Sequence, residues 1–178
     1  MNLADRRSLV RLPVGVAAAA VIADQVTKAW AIDHLADGHA DHLIWTLQLN
    51  LAFNNGMAFG RGQGWGPLIG VLATLLVVVM LLSLGRQSGR VARLSTGLII
   101  GGAIGNIADR AFRGDGFMHG SVIDFIDFQW FPIFNVADMC INIGGALMVI
   151  GFLLTDRRQS STPTETPPDP VVDSLDAD

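Results

Sequence analysis

Five carboxylates fall within the 38 residues from Gly101 to Asp138: Asp109, Asp115, Asp124, Asp127 and Asp138. Asn106, Asn135, Arg110 and Arg113 stand among them, and apolar runs long enough to cross a bilayer flank the stretch. Ionisable groups beside or inside membrane spans are costly, so such a cluster marks a functional site. The chemistry open to it is acid–base hydrolysis. Two aspartates that share one proton can deprotonate water and protonate a departing group, because like charges a few ångströms apart cannot both ionise. Each positioned acid–base group contributes about 10² to 10⁴ in rate. Other hydrolytic devices are absent from the sequence. No serine stands in a recognisable pattern with histidine and aspartate, and there is no His-Glu-x-x-His. The single cysteine, Cys140, lies in an apolar run and reads as an inert packing residue; alone it excludes an internal disulfide. Spacing by itself does not select a pair among the five aspartates.

The elements that must position these groups are membrane helices. Of 178 residues, 51% are hydrophobic and only 16% charged, against about 25% charged in a typical soluble domain. Mean hydropathy is +0.44. The reading is a small α-helical membrane protein with four transmembrane spans, about 12–32, 67–84, 94–112 and 136–154. A short N-terminus, 1–11, precedes this 12–154 unit. A tail, 155–178, rich in Pro, Ser, Thr and Asp, follows it and reads as disordered. Beyond Arg158 the tail supplies five of the negative charges behind the net charge of −4, so the acidity says nothing about partners. No basic stripe or aromatic platform suggests nucleic acid. His34, His39, His42 and His119 lack metal-ligand spacing, and neither a metal nor another cofactor is expected.

Within the first span Asp24 and Lys28 lie four residues apart on one helical face. Taken alone they are a local ion pair that lets a helix end tolerate charge. Val21-Ile22-Ala23 would pass as a signal-peptide cleavage site, but cleavage would remove Asp24 and Lys28 from the polar cluster. Residues 42–50 alternate in polarity and suggest one or two short strands, with Asn54-Asn55-Gly56 as a hairpin or turn signal. In the third span Gly97, Gly101 and Gly105 form a small-residue stripe for close helix packing. Asn106, Asp109 and Arg110 share a face at its end, as either a capped helix terminus or the polar wall of a site. Residues 113–135 read as a loop whose aromatics lie at the membrane interface. Eight of the twelve basic residues fall on the side holding the N-terminus, the 85–93 loop and the C-terminus. The positive-inside rule then puts both termini in the cytoplasm and every suspicious polar residue near the opposite face. A proton-coupled transporter is the alternative from another class, but it predicts titratable groups at mid-bilayer and repeated halves, and no repeat is visible.

Five blocks, taken in order, resemble the lipoprotein signal peptidase (signal peptidase II) family. They are Asp24-Gln25-Val26-Thr27-Lys28, Asn54-Asn55-Gly56-Met57-Ala58-Phe59, the run from Gly101 to Arg110, Val122-Ile123-Asp124-Phe125, and Phe134-Asn135-Val136-Ala137-Asp138. Each block alone is weak; five in order on a four-span chain are specific. The resemblance covers about residues 12 to 154. It implies an aspartic endopeptidase that removes the signal peptide from diacylglyceryl-modified bacterial prolipoproteins, cutting before the lipidated cysteine. It implies Asp124 and Asp138 as the catalytic pair. Asp24, Lys28, Asn54, Gly56, Asn106, Asp109, Arg110 and Asn135 are implied in supporting roles. It further implies a multi-pass protein of the bacterial cytoplasmic membrane, working as a monomer among membrane lipids, with its site at the extracytoplasmic face. A small β cradle around residues 42 to 62 and a covering loop from 113 to 129 complete the expected fold. Met57, where the family often has alanine, would alter a pocket wall.

Overall fold

The computed structural model describes residues 3–56, 64–87 and 89–160. Met57, the far end of the expected cradle and the tail beyond Ser160 lie outside the described residues. Four long helices dominate: α1 (Leu3–Leu35), α2 (Gly66–Ser83), α3 (Arg90–Phe112) and α4 (Val136–Ser160). Each contains a segment long and apolar enough to cross a membrane. α4 runs to Ser160, so helix replaces the first six residues of the expected tail. α1 passes unbroken through Val21–Ala23.

The glycine stripe on α3 sets how closely the bundle packs. A methyl group added at Gly97 would meet the Pro13 carbonyl oxygen at 2.7 Å, and one at Gly101 the Ala17 carbonyl oxygen at 2.6 Å. One at Gly105 would strike the Asp24 carboxylate, and one at Gly102, on the other side of α3, the Ala137 carbonyl. α3 is therefore the central helix, with α1 against one face and α4 against another. In lipid, where apolar burial gives helices no preference for each other, this backbone contact is what holds them. Ala17, Val77, Leu84, Ile100 and Ala103 close an apolar core between α1, α2 and α3. The outer faces of α2 and α4 stay exposed and apolar, as surfaces that meet acyl chains do.

At one end of the bundle a three-stranded antiparallel sheet, in the order β1-β2-β3, caps the helices. β1 (Asp41–Ile44) and β2 (Leu47–Asn54) form a hairpin, as the alternation predicts. Its turn is at Trp45, held at φ +52°, and not at Asn54-Asn55-Gly56, which is a bend that ends β2. β3 (Val122–Asp127) lies within the segment read from sequence as a loop. Its residues are almost all buried, so no polar/apolar alternation betrays it. Leu49 and Leu51 of β2 pack with Phe125 on Ala31 and Leu35 in the last turns of α1. The sheet is thereby fixed to the end of a span, and the Asn54↔Val122 and Ala52↔Asp124 pairings bring Asn54 beside Asp124.

Candidate active site

Asp124 enters the site from β3 and Asp138 from the first turn of α4. Asn135, just before α4, and Asp138 cap each other. The Asp138 N–H donates to Asn135 Oδ1 at 2.9 Å, and the Asn135 N–H donates back to Asp138 Oδ2 at 3.3 Å. This is the reciprocal arrangement that satisfies free N–H groups at a helix start, and a negative side chain there is favoured by the helix dipole. The Asn135 amide then spends both hydrogens: Nδ2 donates to Asp124 Oδ1 at 2.6 Å and to Asn106 Oδ1 at 3.2 Å. Asn106 Nδ2 donates to Asp138 Oδ1 at 2.9 Å, and Asn54 Nδ2 to Asp124 Oδ2 at 3.0 Å. Three asparagines on three different elements thus tie the two carboxylates into one unit. Burial, opposed by the Asn54 and Asn135 hydrogen bonds and reinforced by the nearby Asp138 charge, pushes the Asp124 carboxyl up to about 6.

Behind the pair lies a charge network in which Asp24, Lys28 and Asp109 are fully buried and Arg113 reaches the surface. Lys28 uses all three ammonium hydrogens, at 2.8 Å to Asp24 Oδ2, 2.7 Å to Asp109 Oδ2 and 2.9 Å to Asn106 Oδ1. Asp24 Oδ1 accepts from the Ala137 N–H at 2.9 Å, reaching α4. Asp109 Oδ2 accepts from the Ile123 N–H at 3.2 Å, reaching β3, and Oδ1 pairs with Arg113 at 2.7 Å. Buried ions persist only when paired and hydrogen-bonded, and two aspartates here balance Lys28 and Arg113. Arg110 Nη2 donates to the Gly56 carbonyl at 2.9 Å, while its buried Nη1 has no partner among the described residues and lies beside Gly66 at the start of α2.

The ten residues expected at the site, Asp124 and Asp138 with the eight in supporting roles, are all described, and all lie in or directly behind this one cluster. The five candidate aspartates, and Asp24 with them, separate by environment. Asp24 and Asp109 are saturated structural acceptors. Asp115 is exposed on the loop after α3. Asp127 accepts from Gln48 Nε2 at 2.7 Å, Asn50 Nδ2 at 3.3 Å and the Gln129 N–H at 2.6 Å. Burial alone would raise its carboxyl, but those three donors hold it below the usual carboxylate range. Only Asp124 and Asp138 line the cavity, of about 460 Å³, that opens between α2, α3 and α4. Leu76, Phe131 and Asn142 both line it and are exposed, so the cavity opens through the side of the bundle. Among the described residues no group of three or more His, Cys, Asp and Glu is placed to hold a metal ion.

Sequence reasoning missed several contributors. Gln25 donates to Asp24, the Gly105 carbonyl and Asp109 at 3.1, 3.2 and 3.3 Å, stitching α1 to α3. A glutamine between charged residues in an apolar span was the available signal. Met118, at φ +57°, wedges its thioether against Gly70 of α2; nothing in the sequence marks it.

Comparisons with known proteins bear on the family and the fold. A family model described as signal peptidase (SPase) II matches residues 16–154. The chain is 39% identical over 141 residues to a lipoprotein signal peptidase of Syntrophomonas wolfei, covering 78% of this chain and 91% of the relative. It is 35% identical over 149 residues to the lipoprotein signal peptidase of Bifidobacterium longum subsp. infantis, covering 83% and 81%. Among solved structures, a bacterial membrane enzyme determined by the in meso method at 2.3 Å superposes with a TM-score of 0.74. That match has 27% identity and covers 86% of this chain and 94% of the other. A second bacterial membrane enzyme, determined at 1.9 Å, gives a TM-score of 0.68 at 28% identity, covering 79% and 92%. A family match across most of the chain, relatives aligned along most of their own length, and four apolar helices under a small sheet meet in one conclusion: the chain belongs to the signal peptidase II family, as a multi-pass membrane peptidase.

Proposed function

We propose that the protein removes signal peptides from diacylglyceryl-modified bacterial prolipoproteins, cutting just before the lipidated cysteine, with Asp124 and Asp138 as the catalytic pair. The observation that carries this reading is the position of the two carboxylates. They stand together at the polar end of a cavity whose remaining walls are apolar apart from Asn142 and which opens sideways from the bundle. A substrate anchored in the bilayer by acyl chains can reach such a site without leaving the membrane. Its peptide bond is then presented at the end of the spans.

One carboxylate takes a proton from water as the water attacks the scissile carbonyl, and the other supplies a proton to the departing amine. Asp124, raised to about 6, is the natural proton carrier, and Asp138 the partner that activates water. Asn54, Asn106 and Asn135 hold the pair in register; Asp24, Lys28 and Asp109 fix the elements behind them. Arg110 and Gly56 shape the wall beside β2. The positive-inside bias supports cytoplasmic termini and a site at the extracytoplasmic face of the cell membrane, and we infer that one copy of the chain suffices.

The test is a gel-shift assay of wild type, Asp124→Asn and Asp138→Asn on a diacylglyceryl-modified prolipoprotein. Each variant is expected to lose at least about 10²-fold in cleavage while still binding the lipidated substrate. Full activity in either variant would overturn the assignment of the pair.

A further inference from the structure

Asn142 is a polar side chain exposed on a membrane span, four residues beyond Asp138 on α4. It lines the cavity one helical turn further into the span than Asp138, and the cavity's lining there and beyond includes Ile69, Ala73, Leu76, Ile99, Ala103 and Ile141 besides the polar residues of the site. Its Nδ2 donates one hydrogen to the Asp138 carbonyl oxygen at 2.9 Å. That bond orients the amide along the helix and leaves a second N–H and the amide oxygen without a partner among the described residues. An amide set bare against hydrocarbon costs free energy that a leucine would not. The position calls for a polar group that reaches this depth when the site is filled.

The substrate of the proposed reaction brings such a group. The cysteine that follows the scissile bond carries a glycerol in thioether linkage, and two fatty acids are esterified to that glycerol. Ester carbonyls are hydrogen-bond acceptors set a few single bonds from the sulfur. With the peptide bond at Asp124 and Asp138, the acyl chains run down the apolar walls. The esters then lie one turn deeper than the carboxylates. Four helical residues rise about 6 Å, which matches that reach.

We propose that Asn142 donates its free amide hydrogen to an ester carbonyl of the diacylglyceryl group, and so reads the acylated glycerol as part of substrate recognition. This rests on the proposed function and adds a subsite to it. Asn142 is a specificity-determining residue and takes no part in proton transfer.

The experiment compares two lipopeptides that differ only in whether the glyceryl chains are ester- or ether-linked, since the ether has no carbonyl to accept the bond. Their Kd and kcat/KM are measured with wild type and Asn142→Leu in lipid nanodiscs. Asn142 is exposed and its one hydrogen bond lies within its own helix, so the leucine variant breaks no hydrogen bond between elements. Wild type is expected to bind the diester about fivefold tighter than the diether, the size of effect one neutral hydrogen bond gives. Asn142→Leu is expected to lose that preference by weakening diester binding alone, with kcat at saturation unchanged. An equal loss for both lipopeptides, or the same preference in both proteins, would overturn the subsite. The binding arm needs no turnover. An ester preference that depends on Asn142, found in a protein whose Asp124→Asn and Asp138→Asn variants still cleave, would sink the catalytic pair and leave the subsite standing.

Discussion

At the scale of single residues, the division of labour among the aspartates comes from how many donors each already serves. Asp24 and Asp127 each already accept three bonds from backbone and side-chain donors and Asp109 four, which leaves little of any of these carboxylates for water. Asp124 and Asp138 also accept two bonds each, but they line a cavity. This environment makes a prediction about pH. With Asp124 raised to about 6 and acting as the proton carrier, kcat/KM should fall as pH rises above about 6. The slope should approach tenfold per pH unit, and a flat profile from pH 6 to 8 would reject Asp124 as the acid. Stability follows the same group. Between its unfolded value of 3.8 and about 6, native Asp124 binds more protons than the unfolded chain. Its contribution to stability is therefore lost as pH rises through that window. Thermal melts of wild type against Asp124→Asn from pH 4 to 7 should show the difference moving against the wild type. None of this was legible in the sequence, where the spacing of five aspartates selects no pair. Only the resemblance of the V-x-D-F and F-N-x-A-D blocks pointed to Asp124 and Asp138.

At the scale of elements, Lys28 is the fastener. Its three hydrogens reach Asp24, Asp109 and Asn106, and the two aspartates pass the connection on to α4 and β3 through the Ala137 and Ile123 N–H groups. Lys28→Met leaves two buried carboxylates facing each other with one fewer cation, a change that costs about 3–5 kcal/mol. The expected result is a melting temperature lowered by many degrees, together with lost cleavage. Lys28→Arg should not rescue it, because a planar fork cannot aim three donors at a tetrahedral set. Wild-type stability in Lys28→Met would show that the network carries no weight. The sequence did show the Asp24 and Lys28 spacing, but its plainest reading was a local pair at a helix end. What it hid was the third partner, 81 positions away from Lys28 in the chain. β3 was hidden for a related reason. A strand buried on both faces shows no alternation, so Val122–Asp127 looked like the apolar part of a loop. The Gly97, Gly101 and Gly105 stripe was legible because close approach in lipid leaves a periodic mark.

At the scale of the whole molecule, the four spans place all the site's polar groups at one end of the bundle, where α1 and α3 finish and α4 begins. A transporter would need them nearer the middle. An even number of spans returns the C-terminus to the side of the N-terminus, and the basic residues favour the cytoplasm for both. A fluorescent protein fused at the C-terminus should glow in cells, and alkaline phosphatase fused there should stay inactive. The opposite pair of outcomes would invert the proposed orientation.

The capping exchange between Asn135 and Asp138 has a consequence for the life of the chain before it is complete. Of the two acidic groups, one arrives only with the last span, and so does the amide that ties it to the other. A nascent chain carrying α1 to α3 and β3 already has Asp124, yet it has neither the partner nor the asparagine that would hold it. Synthesis order therefore acts as a safety catch. On the proposed assignment of the pair, a chain that lacks its final helix lacks one of the two catalytic carboxylates, and cutting is expected to begin only once that helix has been threaded.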